Sequence, residues 1–448
     1  MTIMKRAAGV LLLVILAAGS APVADGQGPV RNALGFPVED FRLRNGLRVY
    51  LAVDARLPLV TVAVGYGAGT IREKPGQEGL AYLLENLMFQ GSENVGPFQH
   101  VGFVQKVGGE LNATTTIDKA LFYETLPSNY LALALWLESD RMKSLSITAA
   151  AIERTRSEIV EGHRERVASD PYLTSFVEFD RLVFPDFPYG HPLIGSGEEL
   201  MGLSEAEVLA FHRAHYVPNN AVLAIVGDID PGRTKELVAR YFDSIPPGAA
   251  LPDLPRPEFK RSSEAVVRFA PISLPNAGFH IGFRFFPLQP GEIDVLRILV
   301  CLLFEGESAR LRNRLLRRDR TSHDVSAVLD ERPSVAALKI FSLNTNALLV
   351  DRAERAILAE IDKLRFNTVS QDELTRARRR YELSYLDRIS TLRGKALFII
   401  DGAFAGTPLD ALGADLERAL KVDPPAILAF VSKYFTPQNM VILELGPR

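Results

Sequence analysis

The sequence predicts an α+β protein made of two copies of one sheet-and-helix unit. Three observations carry that expectation. Val208-Leu-Ala-Phe211, Tyr216-Val-Pro-Asn-Asn220 and the apolar run to Gly227 recur 219 residues on, as Ile427-Leu-Ala-Phe430, Phe435-Thr-Pro-Gln-Asn439 and the run to Gly446. A weaker echo pairs Phe89-Gln-Gly91 with Phe304-Glu-Gly306. Apolar runs such as Val60 to Val64 and Val222 to Val226 alternate with amphipathic segments, clearest at Ala150 to Arg166 and Ser370 to Arg388. Strand and helix patterns within one unit predict an antiparallel sheet with helices on one face. Finally, Ile245-Pro-Pro-Gly-Ala-Ala-Leu-Pro-Asp-Leu-Pro-Arg-Pro257 reads as a linker between the copies.

Taken in order, the chain opens with Lys5 and Arg6 before an apolar run from Ala7 to Ala18, too short to span a bilayer. Small residues follow, so residues 1–27 are expected to be a signal peptide, cleaved between Ala21 and Gln27. A first domain is expected over 28–244, the linker over 245–257 and a second domain over 258–448. No comparable apolar stretch follows, so an exported chain without a membrane span, periplasmic or secreted, is expected. Cys301 is the sole cysteine, which rules out an intrachain disulfide. With a net charge of −3, and basic clusters at Arg310 to Arg320 and Arg376 to Arg380 that read as solvated helix faces, nothing suggests nucleic acid as a partner.

The segment that carries chemistry is Gly79-Leu-Ala-Tyr-Leu-Leu-Glu-Asn-Leu-Met-Phe-Gln-Gly91. An inverted zinc motif, His-x-x-Glu-His, sets two imidazoles one helical turn apart so that both face one ion. Here those positions hold Tyr82 and Asn86, and only Glu85, the place of the catalytic base, remains. A phenol with a pKa near ~10 and a neutral amide are poor zinc ligands at pH 7.

The surroundings raise the motif above coincidence. Phe41 to Tyr50 and Val60 to Gly69 lead into it, and Gly108-Gly-Glu-Leu-Asn-Ala-Thr-Thr-Thr116 follows. Phe184-Pro-Asp-Phe-Pro-Tyr-Gly-His-Pro192, Tyr216 to Asn220 and Val226-Gly-Asp228 come after. In that order they resemble the pitrilysin/insulinase-type zinc metallopeptidases, which include the mitochondrial processing peptidases. The resemblance implies two homologous α/β-sandwich domains of the processing-peptidase type, forming half of a clamshell around a cavity. It also implies a third zinc ligand, a glutamate about 76 residues past the second histidine position, and that count lands on Gly162, with Thr155 at a further acidic position. Tyr82, Asn86 and Gly162 leave all three ligand positions empty. Asn112, Ala113, Thr114 and Thr115 resemble the family's edge strand, which pairs with extended peptide.

The second copy departs from the family as well. After Ser308-Ala-Arg-Leu311, the substrate-positioning Arg and Tyr places hold Leu316 and His323, with Arg317 one residue out of register. His212 and His215 lie one turn apart with no local carboxylate or thiol, so packing is the expected role.

These readings predict a catalytically silent homologue that binds no zinc and pairs with a zinc-bearing sister subunit of the same fold, with peptide or unfolded polypeptide in the cavity. Two alternatives stand beside it. One is a weak metallopeptidase using Glu85 with Glu158, Glu161, His163 or Glu165. The other is a stand-alone peptide-binding protein.

Overall fold

The computed structural model describes residues 30–31, 35–254, 266–271, 276–289, 291–332, 335–344 and 346–446. The expected signal peptide lies outside these residues, as do 255–257 of the linker. Strands β1 (Val30–Arg31), β2 (Pro37–Arg42), β3 (Arg48–Val53), β4 (Leu59–Tyr66), β5 (Glu110–Thr115), β6 (Ala120–Pro127) and β7 (Ala221–Gly227) form one sheet. Strands β8 (Val266–Pro271), β9 (Gly278–Phe285), β10 (Ser322–Arg332), β11 (Val335–Asn344) and β12 (Met440–Gly446) form the other.

The first sheet runs β1-β2-β3-β7-β4-β6-β5 and the second β10-β11-β9-β12-β8. Read from its other edge, the second sheet repeats the order of the last five strands of the first. The sheets are mixed, not antiparallel throughout, because β3 lies parallel to β7 and β8 parallel to β12. Long stretches of chain separate these partners, which is what a parallel pairing requires.

Helices form where the pattern predicts. The expected segment at 150–166 is a helix over Ala149–Ser169, entered where Ala151 N–H donates to Thr148 Oγ1 at 3.2 Å. That expected from Ser370 runs over Gln371–Arg388, and Ser370 and Glu373 close it with a reciprocal capping box.

Helices cover both faces of each sheet, where the sequence pattern predicted one. The second face is covered by the other half of the chain. The helix Leu392–Phe404 lays Ala396, Ile399, Ile400 and Ala403 on Ala63, Val222, Ala224 and Val226 of the first sheet. In return, the helix Leu173–Val183 lays Phe179 and Val183 against Ala337, Val441 and Leu443 of the second sheet. The two helices start 219 residues apart. Close approach needs small residues beneath them: a Cβ at Gly65 would come within 2.7 Å of Ile400, and one at Gly282 within 2.9 Å of Phe179. Polar ties reinforce the exchange, with Arg48 donating to the Ala403 carbonyl at 2.8 Å and Lys339 pairing with Asp180 at 2.8 Å. Each fully buried aliphatic side chain contributes about 1.5–3 kcal/mol, so the exchanged helices join the halves firmly.

Candidate functional site

The helix Leu80–Leu87 carries the degenerate motif and buries Leu80, Ala81, Leu83, Leu84 and Leu87 in the first core. It starts at Gly79, whose φ of +89° and 2.2 Å approach of a notional Cβ to the Ile194 carbonyl both demand glycine. Its amide end is held from a distance. Gly79 N–H donates to Glu73 Oε2 at 3.1 Å and Ala81 N–H to Glu73 Oε1 at 2.7 Å. Burial pushes the Glu73 carboxyl up to about 8, with those two N–H groups drawing it back. His191, from the Phe184-to-Pro192 segment, stands 3.6 Å from the same carboxyl, and burial pushes its pKa down. Sequence reading missed Glu73, because a cap six to eight residues upstream matches no local pattern.

At the three positions that the sequence reading names, the chain has no imidazole and no carboxylate. Tyr82 is half-buried and packs on the core. Asn86 is turned back on its own helix, its Nδ2 donating to the Tyr82 carbonyl at 2.8 Å. The Ala149–Ser169 helix packs against this one and presents Gly162, where a Cβ would meet nothing within 4 Å. Thr155, a turn pair earlier, is buried with its hydroxyl unpartnered among the described residues. None of the phenol, amide and glycine at those three positions is the imidazole, thiolate or carboxylate that zinc sites are usually built from.

Glu85 keeps the base position. Its Oε2 is buried and makes no hydrogen bond among the described residues. Burial pushes its pKa up, while Thr115 on β5 draws it down. The residues of the unorthodox-site alternative do not gather around it. Glu161 pairs with Arg164 at 2.6 Å, and Glu158 and Glu165 are exposed. Among the described residues, no three of Glu85, Glu158, Glu161, His163 and Glu165 bring ligand atoms together.

The strand Glu110–Thr115 pairs with β6 alone and forms the edge of the first sheet, beside the degenerate helix. Glu110, Asn112 and Thr114 are exposed, Ala113 is half-buried and Thr115 is buried. No described strand pairs with its free side, where the Ala113 N–H donates to Asn112 Oδ1 at 2.8 Å.

The remaining candidates are structural. His212 stacks on Tyr216, ring centroids 5.4 Å apart, and burial pushes its pKa down to about 4. His215 Nδ1 lies 2.9 Å from the Phe211 carbonyl. In the second half Arg317 pairs with Glu307, and His323 is exposed.

Two family profiles match this chain in succession: "Insulinase (Peptidase family M16)" over residues 48–195 and "Peptidase M16 inactive domain" over 202–381. The chain belongs to the insulinase/pitrilysin family. Among curated relatives, the "Zinc protease PqqE" of Helicobacter pylori is 23% identical over 394 residues, covering 86% of each chain. The mitochondrial-processing peptidase subunit beta of Blastocladiella emersonii is 28% identical over 239 residues, 53% of this chain and 50% of that one. Among solved structures, a Helicobacter pylori protease superposes with a TM-score of 0.85 at 21% identity, covering 94% of this chain and 100% of that one. The M16 inactive domain from Pseudomonas fluorescens follows at 0.81 and 18% identity, covering 92% and 98%. These structures establish the fold. The two-domain α+β architecture is that of the M16 peptidases. Among the described residues, no helix is long and apolar enough to cross a membrane.

Proposed function

We propose that this chain is an exported, catalytically silent M16 homologue that serves as the non-catalytic partner of a zinc-bearing peptidase of the same fold. The observation that carries the reading is the degenerate helix itself. Its frame is kept by Gly79 and Glu73, yet Tyr82, Asn86 and Gly162 supply no zinc ligand. Zinc chemistry rests on lowering the pKa of bound water to ~7, and a glutamate facing ordinary water has no comparable nucleophile to activate. Export rests on the apolar segment from Ala7 to Ala18 and its small-residue flank.

What remains useful at this place is shape. The edge of β5, through Asn112, Ala113, Thr114 and Thr115, can still add an extended peptide as a further strand. A partner subunit would then cut what this chain helps to hold. Co-expression with an exported M16 zinc peptidase of the same cell, followed by size-exclusion chromatography and a peptide-cleavage assay, tests the proposal. A joint elution peak and a change in cleavage rate are expected. A chain that elutes alone and leaves the peptidase unchanged when added in excess refutes it.

A further inference from the structure

A second polar group lies in the first half, away from the ligand positions of the motif. His100 comes from the helix Gln99–Lys106, Glu124 from β6, and Glu138 with Arg141 from the helix Leu131–Ser144. All four are buried: His100 is 5% exposed, Glu124 1%, Glu138 1% and Arg141 3%. One ligand atom each from His100, Glu124 and Glu138 lies within 4.8 Å of the other two, and among the described residues this is the one such triad.

We infer that His100, Glu124 and Glu138 form a binding site for a first-row divalent cation of the zinc type, separate from the degenerate helix. One imidazole and two carboxylates are a donor set that zinc and its neighbours accept. Tetrahedral ligands at about 2.0–2.1 Å from an ion stand about 3.4 Å apart. His100 Nε2 and Glu124 Oε2 stand 3.0 Å apart, and the Glu138 ligand atom lies within 4.8 Å of both.

A second observation points the same way. Glu124 Oε1 has no hydrogen-bond partner among the described residues, on a side chain that is 1% exposed. A buried carboxylate oxygen is costly to leave unpaired, and a cation would supply its partner. The competing group is Arg141, which binds both oxygens of Glu138, with Nε 2.9 Å from Oε2. Each carboxylate oxygen has two lone pairs, so Glu138 can serve the guanidinium and an ion together. Arg141 also packs over the rings of Phe122 and Phe89, its carbon 4.5 and 5.6 Å from their centroids, which fixes it beside the triad. Its positive charge opposes that of an incoming cation. On binding, His100 gives its Nε2 lone pair to the ion with its proton on Nδ1, Glu124 is ionised, and the proton between the pair leaves to solvent.

The test uses the full mature chain, stripped with chelator and titrated with Zn(II) and Co(II) by calorimetry and visible absorption. One ion per chain is expected, with the intense visible bands of low-coordinate cobalt. His100→Gln and Glu124→Gln should each weaken binding by at least tenfold, and Glu85→Gln should leave it unchanged. Arg141→Met should bind zinc more tightly than wild type and gain more in Tm from it, because the ion then carries the charge that the guanidinium held. Folded wild-type protein that takes up neither ion overturns the inference. So does binding that survives His100→Gln and Glu124→Gln but is lost in Glu85→Gln, which would put the ion at the degenerate helix.

Discussion

The two halves share a topology and treat the same place in it in opposite ways. In the first half the helix Leu80–Leu87 presents Tyr82, Glu85 and Asn86, with an unpartnered carboxylate oxygen and open space before Gly162. In the second, the echo of Phe89-Gln-Gly91 at Phe304-Glu-Gly306 sets Arg297 opposite Tyr82 and Cys301 opposite Asn86, on the helix Glu292–Leu303. There Arg297 is closed in by Glu331 at 2.7 Å, Asp415 at 3.1 Å and Asp294 at 3.3 Å, beside a cavity of about 910 Å³ lined also by Tyr381 and Tyr385. The second half has compensated its charges. The first holds Glu85 with one carboxylate oxygen unpartnered among the described residues and Thr115 of β5 as its neighbour.

That comparison can be broken at several depths. The largest effects belong to the exchanged helices. Phe179→Ala should cost about 3–5 kcal/mol and Ile400→Ala about 2–5 kcal/mol. Both should appear in urea melts as a shift of one common transition, since each side chain packs on the other half's sheet. Two separate transitions would show that the halves are not interlocked.

Restoring ligands sharpens the contrast between the halves. Tyr82→His, Asn86→His and Gly162→Glu together should create a zinc site, while no single change does so. Made in a Glu124→Gln background and supplied with zinc at 100 times its Kd, the triple variant should gain about 2.7 kcal/mol in stability. In the second half, Arg297→Met should lose stability, because Asp294, Glu331 and Asp415 are left without their cation. Folded triple variant without metal uptake in calorimetry would show that Gly162 is not the third position.

A smaller effect is expected at Glu85. Folding raises its pKa, so the native state favours the protonated form. The stability this provides is full below the ordinary glutamate range and lost as pH rises through the raised value. Glu85→Gln should therefore stabilise the chain by about 1 kcal/mol at pH 7, with the gain fading towards pH 4. A gain that is flat across this range would mean that the carboxyl is solvated. Smallest of all, Thr114→Lys on the exposed edge should change stability by less than about 0.5 kcal/mol. It should still reduce capture of extended peptide, measured by fluorescence anisotropy, if β5 is the docking edge.

Much of the fold was legible because its signals are local or repeated. The offset of 219 residues pointed to two copies, and the unbroken apolar run Ala221 to Gly227 forms a strand buried along its whole length. That same run carried a hint that was not used: a strand apolar on both faces needs cover on both faces. Which helix supplies that cover is not local information, since Ile400 meets Val222 across most of the chain. The spacing from Tyr82 through Glu85 and Asn86 to Gly162 is an expectation that the sequence alone carries. Glu73 and the group of His100, Glu124, Glu138 and Arg141 were not legible in it, because their members come from separate elements and match no single-segment pattern.

In the proposed function Glu85 has no zinc-bound water to activate. Its most direct test is turnover of a quenched fluorescent peptide library by the purified chain alone, with zinc added and with Glu85→Gln as control. The account predicts the same background rate for wild type and variant. Turnover above background that disappears in Glu85→Gln would contradict it.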